Sequence, residues 1–237
     1  LDGVTGVQTC ALPILLHLRL GAILLAEMKQ AQAYIGVRGA ANAFELADVP
    51  RERLDAYNRL IQRPVHLEQR VKHTRWCVLR YPNAAMAQLA GGSTEAFEDF
   101  YFRVCTLDYA RMAEAVKPLA IRMNRADRVR ITGPETDLTF SIRGIGAEAC
   151  TGEKNIPDGE CFTAPVRDSI EGTVRFNTPT IYEGRAFDHI RLRFEKGRVV
   201  ECDCAGGPVE ELRAILDRDE GARYTGEWSI AFHPFVE

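Results

Sequence analysis

Several kinds of protein are excluded by what this sequence lacks. The most apolar stretch, "CALPILLHLRLGAILLAEM", is broken by His17 and Arg19, and no basic region precedes it as in a signal peptide. Neither sign of charge is in marked excess: the net charge is −3, which gives no reason to expect nucleic acid or an anionic membrane as a partner. Local basic runs such as "RMNRADRVR" (Arg122 to Arg130) are interleaved with apolar residues and read as a solvated face rather than a phosphate-binding patch. No internal repeat or low-complexity tract is present. There is no Gly-x-Ser-x-Gly elbow and no Gly-x-x-x-x-Gly-Lys loop, and "GGSTEAF" lacks the preceding strand a dinucleotide fingerprint needs. A disulfide framework is missing too. The seven cysteines are odd in number and irregular in spacing, in a chain too large to need staples, so a reducing cytoplasm is expected.

What is present is enough apolar residue, 46% of 237, to bury a real core. Residues 1–14 are set apart. "VTGVQTCALPI", Val4 to Ile14, resembles the translation of a sequencing-adapter oligonucleotide, so the protein proper is expected to begin near Leu15, with sequence missing upstream. From there to about residue 120 the pattern is mixed. A helix end runs into a short strand, Ala33 to Val37. Leu54, Tyr57, Leu60 and Ile61 have helical spacing, and "RWCVLR" (Arg75 to Arg80) reads as a strand. Ser93 is placed to cap a helix whose face carries Phe97, Phe100, Tyr101, Val104 and Leu107.

Beyond Pro118 short alternating runs take over: Arg128 to Thr132, Asp137 to Ile142 and Thr173 to Phe176. "HIRLRFEKGRVVEC" reads as a β-hairpin turning at Glu-Lys-Gly, "GGPVEELRAILDRD" as a helix, and "GEWSIAF" as a further strand. The expected organisation is an α/β segment over 15–120 followed by a β-rich α+β domain over 121–237.

The chemistry-bearing residues are few. Glu160 stands in "NIPDGECFTAP" behind Gly159, where the chain passes from turn formers into an apolar run. Glu227 repeats the pattern in "TGEWSIAF": glycine, glutamate, apolar strand. Taken alone, each reads as a solvated surface group. Together, two glutamates at strand beginnings have the chemistry to converge on a cation, since Zn²⁺, Co²⁺ and Mn²⁺ accept carboxylate oxygens and a bridging carboxylate can hold two ions. His189 and His233 lack the spacing of established ligand motifs, and His189 reads as an edge residue. Cys161 is a nucleophile only if a histidine lies in reach. Cys202 and Cys204 share one strand face and read as small buried residues.

Four stretches, "RWCVLRYPNAAMAQLA", "RVRITGPETDLTFSI", "NIPDGECFTAPVRDSIEGTVRFNTP" and "DEGARYTGEWSIAFHP", taken together resemble the thermophilic metallo-aminopeptidases of the aminopeptidase T and aminopeptidase S type. They run in family order over most of Leu15 to Glu237. The resemblance implies a cytoplasmic homodimer that removes N-terminal residues from peptides with a free N-terminus, using two divalent metal ions (Zn, Co or Mn). It implies that Glu160 ligates one ion and that Glu227 is the second, bridging carboxylate. It also implies histidine and aspartate ligands downstream of the Glu227 motif. On that expectation the catalytic domain is incomplete here and the 237 residues are inactive alone. The alternative is a non-catalytic peptide-binding or structural relative. Two departures stand out: His233 occupies a position where the family has asparagine, and Glu135 one where it has glycine.

Overall fold

The computed structural model describes residues 13–236. Most of the adapter-like stretch, with Cys10, lies outside the described residues. The described residues form two compact units: unit 1 runs up to Thr106 and includes Glu153–Pro157, and unit 2 is Leu107–Gly152 with the chain from Asp158 onward. The mixed α/β class matches the sequence pattern. The change of texture near residue 120 is not where the units divide. Helix α6 (Tyr109–Arg125) runs straight through Pro118, with Asp108 accepting a hydrogen bond from the Arg111 N–H as its cap. Its inner face, Val116 and Met123, is buried against Cys161 in unit 2, so the whole helix belongs there.

Unit 1 opens with α1 (Ile14–Gln30), followed by β1 (Ala33–Arg38) and β2 (Arg75–Arg80) in parallel register, Ala33 opposite Arg75. Parallel neighbours need a crossover, and a long helical segment supplies it. That segment starts as α2 (Arg51–Tyr57), continues as a π-helix over Asn58–Arg70 and ends as α3 (Val71–His73). Met28 of α1 packs with Ile61 and Val65 of the crossover, and this apolar contact is the unit's core. The helices α4 (Ala84–Leu89) and α5 (Thr94–Cys105) complete it, capped by Asn83 and by Ser93 as the sequence indicated for the latter. Tyr101 is buried on α5 and its hydroxyl donates to the Arg80 carbonyl. Leu107 lies past the end of α5 rather than on its face, because the chain turns there to start α6. No described helix is long and apolar enough to cross a membrane.

The described residues of unit 2 form two sheets. The larger pairs β3 (Arg128–Gly133), β4 (Thr136–Ser141), β8 (Glu171–Arg175), β10 (Arg185–Glu195) and β11 (Arg198–Gly206) in the order β11-β10-β8-β4-β3, with β9 (Thr180–Tyr182) on β10. Leu138, Phe140, Ile142, Ile170, Phe194 and Val199 form its core, and α7 (Val209–Leu216) buries Leu212. His189 falls inside β10 rather than at its start, outside every paired register of that strand, with φ of 52° and its ring 2.9 Å from the Asp188 carboxylate. The smaller sheet has the order β12-β7-β5, from Trp228–Ala231, Glu160–Thr163 and Glu148–Cys150. Trp228 packs against both cores, edge-on to Phe140 at 5.4 Å, and so joins the two sheets.

Candidate metal centre

The route from Gly152 to Glu160 shows how the "NIPDGE" stretch is held. Residues 153–157 belong to unit 1, where β6 (Asn155–Ile156) pairs in parallel with β2. At Asp158 the chain re-enters unit 2. The Asp158 carboxylate accepts hydrogen bonds from the backbone N–H groups of Gly152, at 2.9 Å, and of Gly159, at 3.0 Å. It therefore ties together the two points where the chain leaves and rejoins the unit. Sequence reasoning passed over Asp158. The available signal was its place between proline and glycine, where an aspartate side chain bonds nearby backbone.

Glu160 then begins β7, half-buried, with its neighbour Cys161 fully buried. Gly159 has φ of +139°, a conformation that favours glycine, and it lies directly against His233. The Phe232 N–H donates to the Gly159 carbonyl at 2.8 Å, and Glu160 pairs with Ala231. This register brings His233 beside the Gly159–Glu160 step. His233 is buried, and its Nδ1 accepts a hydrogen bond from the Phe235 N–H at 3.2 Å.

Glu227 is placed differently. β7 and β12 are indeed neighbours, but they run antiparallel, with Trp228 opposite Thr163 and Ala231 opposite Glu160. Glu227 precedes Trp228 and is exposed, so the two glutamates flank opposite ends of the strand pair. Four residues of antiparallel strand span about 14 Å. Direct coordination requires carboxylate oxygens about 2 Å from the ion. Among the described residues no three side chains of His, Cys, Asp or Glu are grouped so as to hold a metal ion. The residues present therefore do not make up a metal centre by themselves, and no reaction step is built on them.

Cys161 is no nucleophile. It is fully buried in the cluster of Val116 and Met123, and burial pushes its thiol above the usual range, against the reactive thiolate.

The chain is similar to aminopeptidase T of Thermus thermophilus, 38% identical over 120 residues that make up 46% of this chain and 29% of the relative. It is similar to aminopeptidase 2 of Geobacillus stearothermophilus, 42% identical over 79 residues, or 33% of this chain and 19% of that one. Among solved structures, wild-type AmpT from Thermus thermophilus matches with a TM-score of 0.73 and 25% identity, covering 98% of this chain and 62% of its own. The chain thus spans under two thirds of the length of the relatives it matches. The model of the thermophilic metalloprotease (M29) family matches residues 21–234, and the chain belongs to that family.

Proposed function

We propose that the whole protein is an aminopeptidase, releasing N-terminal residues from peptides with a free N-terminus in a metal-dependent hydrolysis. The observation that carries this reading is the extent of the family match, which runs through both glycine–glutamate stretches. In this reading two divalent ions (Zn, Co or Mn) would be held by Glu160 and Glu227 together with ligands beyond those described, and would supply Lewis-acid polarisation and an activated water. Glu160 and Glu227 are two carboxylates of a larger ligand set. Glu160 is the better anchored of the two, since β7 is held on both sides by β5 and β12. The protein acts in the cytoplasm as a homodimer. The 237 residues alone, without a grouped ligand set among those described, do not hydrolyse peptides.

The separation of the glutamates favours one rival, a non-catalytic peptide-binding relative on the same fold. Hydrolysis of amino-acid anilides by the whole protein decides between them. The expected result is activity lost on chelation, restored by Zn²⁺, Co²⁺ or Mn²⁺, and reduced at least about a hundredfold by Glu160→Gln, the scale on which catalytic metal sites fail when a ligand is weakened. A whole protein that folds and dimerises yet shows no metal-dependent hydrolysis would leave only the rival.

A further inference from the structure

Arg70, in unit 1, is a buried cation with no counter-ion among the described residues. It is 6% exposed, and its guanidinium lies 4.4 Å from the centre of the Trp76 ring and 5.4 Å from that of Tyr34. Among the described residues its Nε and Nη1 atoms have no hydrogen-bond partner. Arginines this deeply buried are ordinarily paired, because an unpaired buried charge is strongly unfavourable.

Arg70 is not the sole orphan. His66 Nδ1 and Thr74 Oγ1 are also buried with no partner among the described residues, and Thr74 is 8% exposed. The three residues are spaced four apart, along one side of the crossover and its end. Thr74 lines a cavity of about 460 Å³ together with Arg75, Lys154 and the rings of Tyr34 and Trp76; Arg70 and His66 do not line it, and Arg70 adjoins it through its contacts with those two rings. Glu153 is the one carboxylate in that lining. The local field is positive. Burial, then Arg70 and Arg38, lower His66 to about 4, and Arg70 itself is lowered, mainly by burial.

We propose that this corner of unit 1 is a binding site for a small oxyanion, a phosphate or a carboxylate, held by Arg70 and the Thr74 hydroxyl beside the rings of Tyr34 and Trp76. A guanidinium presents N–H groups in a fork that fits both oxyanions, and a hydroxyl adds a further donor. The two aromatic rings fix the guanidinium plane and offer an apolar wall to whatever body carries the anion. The site is independent of the peptidase reading, since no residue in it takes part there.

The test uses the full chain with sodium phosphate and sodium succinate, against sodium chloride at matched ionic strength. Saturable thermal stabilisation, about 3 °C or more at high occupancy, is expected from one oxyanion or both, and none from chloride. A response to phosphate alone or to succinate alone identifies the source of the oxyanion. Thr74→Val is expected to weaken binding about 3–10-fold and Arg70→Met to abolish it. Should either variant fail to fold, the His66 ring followed by NMR in the unaltered chain decides. Its pKa rises as the oxyanion binds, because an added negative charge favours the imidazolium. Absence of any saturable response to both anions, with the His66 titration unmoved, overturns the proposal.

Discussion

Gly159 and His233 are packed so closely that a Cβ on the glycine would stand 2.8 Å from the His233 Cβ and 3.2 Å from its Cα. The neighbour is largely backbone, so it cannot swing aside as the tip of a long side chain would. With φ at +139°, an alanine is strained there as well as crowded. Gly159→Ala is expected to destabilise unit 2 by about 2–3 kcal/mol and to displace the start of β7, where Glu160 stands. Urea denaturation of the variant checks the first part. If the unfolding free energy changes by less than about a tenth of that amount, the tight contact is not a feature of the protein in solution.

A second glycine carries a heavier constraint. Gly197 closes the β10–β11 hairpin with φ of +78°, after Lys196 at +47°, the pair of positive angles that a two-residue hairpin turn requires. A Cβ there would come within 1.7 Å of the Arg167 carbonyl oxygen, which no side-chain adjustment relieves. Gly197→Ala should therefore cost more than Gly159→Ala. Lys196→Gly, which removes a strained side chain, should cost less than about 1 kcal/mol. Reversal of that order in matched denaturation curves would contradict the turn geometry.

The hairpin also shows what the sequence can convey. Alternation of Ile190, Leu192 and Phe194 before Glu-Lys-Gly specifies two strands and a turn through local periodicity and turn chemistry, and the structure has both. β2 and the Ser93 cap were legible for the same local reason. Two features depended on tertiary contacts and were not. Pro118 reads as a boundary, yet α6 continues through it because its inner face is buried against Cys161. The register of β7 on β12 sets where Glu160 and Glu227 lie relative to each other, and pairing between segments more than sixty residues apart leaves no local trace. Glu135 is intermediate. Glu135 has φ of +53°, a position that favours the glycine the resemblance implies, and here the glutamate is ion-paired to Arg175 across the turn.

Cys161 gives a prediction about reactivity. Its side chain is buried among Val116, Met123, Leu119 and Trp228, and burial raises its thiol pKa, so little thiolate exists at neutral pH and little reagent reaches it. Burial, Asp203 and Cys202 push the Cys204 thiol up as well, but Cys204 is only partly buried, so on access alone iodoacetamide near neutral pH should leave Cys161 unmodified in the native chain long after Cys204 has reacted. In urea the two should react at comparable rates. Peptide mapping of the native sample settles the matter: early label at Cys161 would mean that the β7 core opens readily.

The last prediction concerns pH, and its sign follows from His66. Its folded pKa is about 4, held down by burial and by Arg70 and Arg38, against an ordinary value of 6.5. At neutral pH the imidazole is uncharged in both folded and unfolded chains, so it leaves stability unchanged. As pH falls through 6.5 the unfolded chain takes up a proton that the folded chain refuses, and unit 1 loses stability. The loss continues to about pH 4, below which both states are protonated and the contribution levels off. Because the ring is only half-buried, solvent screening reduces the effect to about 1–2 kcal/mol. Denaturation midpoints of unit 1 measured in chloride buffers from about pH 7 down to about pH 4 should show this decline. His66→Gln, which has nothing to titrate, should remove it while the remaining pH dependence from the carboxylates persists. A variant with the same slope as the parent chain would mean that His66 is solvated and not held against Arg70.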